Sequence, residues 1–394
     1  MKQFPKVVLK SGRERSLQRY HLWVFSGAIK SITGKPEEGD VVEVYSANDE
    51  YLATGHIQNG SIMVRLFSFE QTDAGREFWR SGFERAFAMR KNLGFFDDPQ
   101  TNTFRLIHGE GDRFPGLIMD YYNGVVVLQA HSVGMWRHRE MFASIVSELL
   151  EDRVHAVYDK SESTLNEAEA VNTSNFLVGE SGNAVVSEYG HTFEVDFREG
   201  QKTGFFIDQR ESRRLVGQCA KGRKVANVFS YTGGFSVYAA AGGAVLVDSV
   251  DASDKAIALA RKNMQLNFGE NPAHRFFAMD AFGFFKQSTE SYDLIVLDPP
   301  AFAKHQAALS NALKAYRRIN EAAFRRLTRG GLLFTYSCSQ VVSKEDFRKA
   351  VFSAAAATGR SARILFQLDQ PPDHPVNIYH PEGEYLKGLV VYVE

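Results

Sequence analysis

The chain has 394 residues, 44% of them apolar, and a formal net charge of -1. That length allows two or three domains with sizeable cores, and the neutral balance carries no global signature of a polyanion binder. Only two cysteines, Cys219 and Cys338, are present, which excludes a disulfide framework or a four-cysteine zinc site. No metal-ligand set is read from the sequence.

Scarce cysteine suits a reducing cytoplasm, and cytoplasmic localisation is expected. Residues 1–10 lack the apolar core of a signal peptide. No run of eighteen apolar residues occurs, so no membrane span is expected.

Residues 1–70 read as all-β. Alternating stretches at 41–45, 51–55 and 62–67 are separated by Gly, Asp and Asn turns. Residues 71–184 read as an α+β unit. Its helices are predicted at 77–93 and 137–150, and its strands at 103–107, 117–122, 125–131, 154–158 and 176–178.

Residues 185–394 change texture. Strand 225–229 leads through Ser230-Tyr231-Thr232-Gly233-Gly234 into a helix at 235–241. Strand 245–250, helix 254–267, strand 276–278, helix 282–287 and strand 292–297 follow. Helix 312–327 and strand 332–336 continue the alternation. Such βα alternation predicts a parallel, doubly wound α/β sheet.

Charge is unevenly spread. Lys2 to Lys35 holds eight Lys/Arg against one acid, Glu14, and Lys304 to Arg329 holds seven against Glu321. Two basic patches on a neutral protein can form a nucleic-acid footprint; solvated surface charge is the alternative reading.

Ligands of open parallel sheets bind beyond the carboxyl ends of the strands. The loop Asn227-Val228-Phe229-Ser230-Tyr231-Thr232-Gly233-Gly234 lacks the Gly-x-Gly-x-x-Gly fingerprint of a dinucleotide site. The next two strands end near acids. Asp251, followed by Ser253, can accept from ribose hydroxyls, and Asp280 can face an adenine amino group. Successive acids fit S-adenosylmethionine better than a dinucleotide. Ser253, Asp254 and Asp280 are equally plausible helix N-caps.

The fourth and fifth strands end in Asp298-Pro299-Pro300-Ala301-Phe302 and Tyr336-Ser337-Cys338-Ser339. A carboxylate that holds a base edge beside a thiol suggests methyl transfer to a pyrimidine carbon. C5 of cytosine is a poor nucleophile, and thiolate addition at C6 makes it enamine-like. Cys338 is therefore read as the nucleophile and Asp298 as a partner of the N3/N4 edge. Pro299 and Pro300 stiffen the turn. Phe302 is a candidate to stack on an extruded base, or packs in the core. Cys219 is read as structural, Trp23 and Phe25 as core more readily than as RNA contacts, and His374 as either a base or structural.

Further segments carry a family likeness. They include Lys10-Ser11-Gly12-Arg13-Glu14, His21-Leu22-Trp23-Val24-Phe25-Ser26-Gly27, Arg105-Leu106-Ile107-His108-Gly109-Glu110 and Lys202 through Arg210. Asp373-His374-Pro375-Val376 and Pro381 through Gly388 complete the set. The whole resembles the bacterial 23S ribosomal RNA cytosine-C5 methyltransferases with an N-terminal PUA domain.

The resemblance implies a PUA module (1–70), a middle α+β domain (71–184) and a class I, Rossmann-like methyltransferase domain (185–394). It implies that Thr203, Phe205, Asp208 and Arg210 border the cofactor, with Arg210 on the methionine carboxylate; an Asp208–Arg210 ion pair is the structural alternative. Asn227, Ser230, Tyr231, Thr232, Gly233, Asp251, Ser253, Asp280, Asp298 and Pro299 complete the expected cofactor set. Pro300, Phe302 and Lys304 are expected on the substrate side. Expected partners are 23S rRNA or a large-subunit assembly intermediate and no membrane, with a homodimer left open.

Two departures stand out. Ala301 occupies the place of the second cysteine found in two-cysteine RNA cytosine methyltransferases, which implies a single-cysteine mechanism. The stretch Asn166-Glu167-Ala168-Glu169-Ala170 is acidic where relatives tend to be basic. Competing readings are methyl transfer to a guanine nitrogen, which needs no thiol, and an rRNA-binding assembly factor without turnover.

Overall fold

The computed structural model describes residues 4–165, 175–303 and 305–394. It divides into two compact units. The first comprises Met1–Ser187, Val195–Ile207 and Pro372–Gly383, and the second Glu188–Glu194, Asp208–Pro371 and Glu384–Glu394.

The first unit holds two sheets. One has six strands in the order Trp23–Phe25, Ile62–Ser68, Tyr51–Ile57, Val41–Tyr45, Lys6–Leu9, Ile29–Ile32. Lys6–Leu9 runs parallel to Val41–Tyr45, while the other neighbours are antiparallel. The three strands below residue 35 are too short for alternation to reveal them. The second sheet has five strands, Asn175–Val178, Ala156–Asp159, Val125–Ala130, Leu117–Tyr122 and Thr103–His108. Helices Arg76–Asn92 and Arg139–Leu150 pack on it through Trp79, Phe83 and Phe142, all within 1% of full burial. Each such side chain contributes roughly 1.5–3 kcal/mol.

A polar knot ties the segment Pro372–Gly383 into this unit. Arg105 grips Asp120 through two bonds of 2.8 and 2.9 Å. The Arg105 backbone N–H donates to Asp373 Oδ2 at 2.9 Å, and Arg90 donates to the Asp373 carbonyl at 2.7 Å. Gly111 must be glycine, because a Cβ there would lie 2.0 Å from the Pro375 carbonyl oxygen. Two of the family-like motifs, Arg105–Glu110 and Asp373–Val376, thus meet each other.

The second unit is built on a seven-stranded sheet: β1 Lys224–Val228, β2 Leu246–Asp251, β3 His274–Ala278, β4 Tyr292–Leu297, β5 Leu327–Ser337, β6 Ala362–Leu368 and β7 Lys387–Val393. Their order is 3-2-1-4-5-7-6. Strands β1 to β5 are parallel, and β7 lies antiparallel between β5 and β6. The predicted alternation accounts for the parallel strands. Strand β5 starts five residues earlier than expected, directly after the preceding helix.

Among the described residues six α-helices flank the sheet: α1 Arg210–Cys219, α2 Gly234–Ala241, α3 Asp254–Phe268, α4 Ala281–Gln287, α5 Leu309–Arg326 and α6 Lys344–Thr358. Their ends follow ordinary capping chemistry. Ser253 Oγ accepts the Ala256 N–H, Asp280 the Gly283 N–H and Ser343 Oγ the Asp346 N–H. Gly359, at φ +66°, ends α6 in the left-handed conformation. The core runs through Val228, Ile295, Leu297, Leu333, Tyr316 and Val391. Among the described residues no helix is long and apolar enough to cross a membrane.

Candidate active site

The strand order reverses between β1 and β4, and the loops after those two strands flank the switch point. After β1 the backbone turns through three left-handed residues: Phe229 at φ 64°, Tyr231 at 45° and Gly233 at 78°. Such conformations cost about 1–3 kcal/mol each at non-glycine positions and cluster at functional sites. A Cβ on Gly233 would come within 3.0 Å of Ala260 in α3, so the turn and the helix packing demand the same glycine.

Asp251, the last residue of β2, braces this loop. Its Oδ2 accepts the Tyr231 N–H at 2.9 Å, and its Oδ1 accepts the Ser253 N–H at 3.0 Å. The carboxylate is half-buried, and each oxygen retains a lone pair for a ligand hydroxyl. Ser230 Oγ is buried with no hydrogen-bond partner among the described residues. A braced, left-handed loop with an orphaned hydroxyl beside a strand-end acid fits the ribose and amino-acid groups of S-adenosylmethionine.

Beyond β4 and β5 two loops are tied together. Leu297 pairs with Thr335 in the parallel register, so Asp298 and Cys338 emerge from neighbouring strand ends. Ser339 Oγ donates to the Ala303 carbonyl at 2.5 Å, and Ser337 Oγ donates to Tyr316 Oη at 2.9 Å. Burial pushes the Tyr316 hydroxyl up to about 12, and the charges of Cys338 and Asp298 add to that rise. One α5 side chain thus senses both groups. Burial also pushes the Tyr336 hydroxyl far up, again with Asp298 contributing.

Lys387, the first residue of β7, completes this constellation. It is 6% exposed, and its amine donates to the Ser339 carbonyl at 2.7 Å. Burial pulls its pKa down to about 8, against an upward pull from Cys338. A buried ammonium in electrostatic reach of a thiol favours the thiolate. Sequence reasoning assigns Lys387 no role. Its signal lies within the family-like Pro381–Gly388 segment, but the strand insertion that brings it beside β5 leaves no local trace.

The remaining expected site residues fall as follows. Thr203 and Phe205 belong to the first unit and are buried. The Thr203 hydroxyl is 2.5 Å from Asp120 Oδ2 and 2.9 Å from Tyr122 Oη. In the second unit, Asp208 Oδ2 accepts from the Tyr385 hydroxyl at 2.7 Å. Arg210 lies 3.5 Å from Glu188, which also takes two bonds from Arg213 at 2.8 and 2.7 Å. Asp208 thus meets Tyr385, and Arg210 shares Glu188 with Arg213.

Asn227 is fully buried and donates to Ser236 Oγ at 2.9 Å, tying β1 to α2 beneath the loop. Thr232 is buried and its carbonyl accepts from Asn263. Ser253 and Asp280 both act as N-caps, and Asp280 is exposed at the end of its strand. Pro299 is buried and Pro300 exposed. Phe302 is partly buried with its ring 4.7 Å from that of Tyr316. Lys304 and the acidic stretch 166–170 lie outside the described residues.

Two further residues fall in the first unit. Phe25 is 45% exposed and is not a core residue, because its short edge strand leaves it uncovered. His374 is buried with its Nδ1 3.1 Å from Asp373 Oδ1.

A parallel sheet reversing at β1/β4, with strand-end acids and a braced nucleoside loop, defines a class I, Rossmann-like methyltransferase. A family model for S-adenosylmethionine-dependent methyltransferases matches residues 104–387, and one for PUA-like domains matches residues 7–69. The chain belongs to this S-adenosylmethionine-dependent methyltransferase family, and S-adenosyl-L-methionine is its cofactor. It is 38% identical to the ribosomal RNA large subunit methyltransferase I of Tolumonas auensis and 37% identical to that of Alteromonas mediterranea. Both alignments cover 98% of this chain and 98% of the relative. The fold superposes, with a TM-score of 0.86, on a protein assigned as a SAM-dependent methyltransferase from Streptococcus mutans. That match has 24% identity and covers 98% of this chain and 99% of the other. A second structure, solved in complex with SAH, has the same TM-score and coverage at 25% identity.

Proposed function

We propose that this protein methylates C5 of a cytosine in 23S ribosomal RNA, using Cys338 as a covalent nucleophile. The observation that carries the reading is the placement of Cys338 at the end of β5, beside the Asp298 strand end and in electrostatic reach of Lys387. The names of the relatives supply the rRNA substrate class.

Bound S-adenosylmethionine supplies an electrophilic methyl group. Lys387 holds Cys338 as a thiolate, which adds to C6 of an extruded cytosine and makes C5 nucleophilic. Asp298, in its protonated form, accepts from the N4 amine and donates its proton to N3, which neutralises the charge that builds there as sulfur adds. After methylation, a water molecule takes the C5 proton, and the electron pair left behind restores the C5–C6 double bond and expels the thiolate. Asp251 orients the cofactor through its ribose, and the Phe229–Gly233 loop supplies the cradle. Residues 1–70, 71–184 and 185–394 act as RNA-binding, bridging and catalytic modules.

Nucleoside mass spectrometry of rRNA incubated with the protein and labelled S-adenosylmethionine tests this. The expected product is 5-methylcytidine in 23S rRNA. Label on a guanosine nitrogen instead contradicts the assignment.

A further inference from the structure

Three side chains distant in sequence meet in the first unit, away from the groups just described. His21 precedes the edge strand Trp23–Phe25, and His380 and Glu382 lie on the Pro372–Gly383 segment. The Asp373 knot and the Gly111–Pro375 approach anchor that segment. His21 Nε2 stands 3.1 Å from Glu382 Oε1, and His380 Nδ1 stands 3.4 Å from Glu382 Oε2. The three potential ligand atoms all lie within 4.8 Å of one another.

One buried nitrogen of this cluster, His380 Nδ1, has no hydrogen-bond partner among the described residues. His21 Nδ1 is 3.2 Å from the Trp23 carbonyl. The Trp23 backbone N–H also lies 3.3 Å from this nitrogen, and with the proton on Nδ1 the Nε2 lone pair is available to a cation. Such a backbone carbonyl partner is the usual outer support of a metal-bound imidazole. His380 is 1% exposed, and its Nδ1 is buried without a hydrogen-bond partner. Its ring packs edge-on against Trp23, with centroids 4.4 Å apart. Trp23 is itself held by its indole N–H on Glu110 at 2.9 Å, and Arg65 clamps the same carboxylate at 2.6 Å. The imidazole is thus both positioned and unsatisfied.

We propose that His21, His380 and Glu382 bind a divalent transition metal of the zinc class. Two imidazoles and one carboxylate match that class, whereas calcium and magnesium take oxygen donors. Tetrahedral ligands at about 2.0–2.1 Å from the metal stand roughly 3.3 Å apart, and the three ligand atoms here, within 4.8 Å of one another, need only a modest side-chain adjustment to reach that spacing. Three protein ligands leave a fourth position for water, on the side where Glu382 is 40% exposed. The ion fastens the N-terminal sheet to a segment some 360 residues later in the chain, a cross-link that no local ligand spacing announces.

The test uses the full-length protein, stripped with chelator, dialysed and titrated with Zn²⁺ by calorimetry and with Co²⁺ by absorption spectroscopy. One Zn²⁺ per chain, intense tetrahedral Co²⁺ bands and a raised thermal midpoint are expected. Glu382→Gln, at a partly exposed side chain, and His21→Gln should each weaken Zn²⁺ binding at least about tenfold. The double variant, checked for folding by circular dichroism, separates this site from adventitious binding by other histidines. Absence of stoichiometric binding in the wild type, or undiminished affinity in the double variant, overturns the proposal.

Discussion

The chain's two thiols occupy contrasting places in one unit. Cys219 closes α1, half-buried, where burial pushes its thiol up and Arg223 only partly offsets the rise. Cys338 leaves the carboxyl end of β5 under a loop pinned by Ser337 and Ser339, with Lys387 in electrostatic reach. The contrast is one of setting: one thiol lies at a strand end with a buried cation in electrostatic reach, the other at a helix terminus with no such neighbour but Arg223, and the proposed mechanism assigns attack to the first.

The largest effect should come from exchanging the thiols. Cys338→Ala should lower methyl transfer by several orders of magnitude while sparing cofactor and RNA binding, since the sulfur acts only after both are in place. Cys219→Ala should leave turnover unchanged. Single-turnover assays beside calorimetry read both, and full activity in folded Cys338→Ala would erase the contrast.

Removing the cation should come next. Lys387→Met should reduce turnover roughly 10²–10³-fold, the usual cost of losing one preorganised charge donor. The pH at which Cys338 becomes half-alkylated by iodoacetamide should rise in that variant. Stability adds an independent reading. Burial pulls Lys387 from 10.5 to about 8, so between those values the unfolded chain keeps a proton that the folded chain has lost. This group's contribution to stability therefore rises with pH across that window. Denaturant titrations of Lys387→Met should show a flatter dependence there.

Asp251→Ala sharpens the comparison from the cofactor side. It should weaken S-adenosylmethionine binding about ten- to hundredfold, the equivalent of about 1.5–3 kcal/mol, and leave Cys338 alkylation as in the wild type. Asp251→Asn, which preserves an acceptor for the Tyr231 N–H, should lose less. Unchanged affinity in Asp251→Ala would remove the ribose assignment.

The smallest effect is expected at the N-terminal patch, where Arg13, Arg15 and Arg19 are exposed. Their joint replacement by Gln should flatten the salt dependence of rRNA binding, by roughly 0.7–0.9 in the log–log slope for each phosphate no longer neutralised. Turnover at saturating RNA should be unaffected. An unchanged slope would leave that patch as solvated surface.

Much of the candidate site's strand-end layout is legible in the sequence because it obeys local rules. The parallel strands are near-continuous apolar runs, and their carboxyl ends expose Asp251, Asp298 and Cys338 in the expected order. What stays hidden depends on long-range geometry. Lys387 reaches Cys338 only because β7 inserts antiparallel between β5 and β6, which strand-by-strand alternation does not reveal. Arg210 and Asp208, two residues apart, also take partners far away in the chain, Glu188 and Tyr385, which local spacing does not announce. Asp280 illustrates a genuine ambiguity: one carboxylate serves as the α4 cap and still faces outward. His21 and His380 carry no metal-ligand spacing, since a shared position in space creates their relationship.

The most direct test of the central claim is covalent trapping. RNA carrying 5-fluorocytosine at the target should form a stable adduct with the wild-type protein in the presence of S-adenosylmethionine, because fluorine blocks the proton loss that releases the thiol. Peptide mass spectrometry should place that adduct on Cys338, with Cys219→Ala trapped as efficiently and Cys338→Ala not at all. An adduct on Cys219, or full methylation of normal RNA with no trapping of its fluorinated counterpart, would contradict the account.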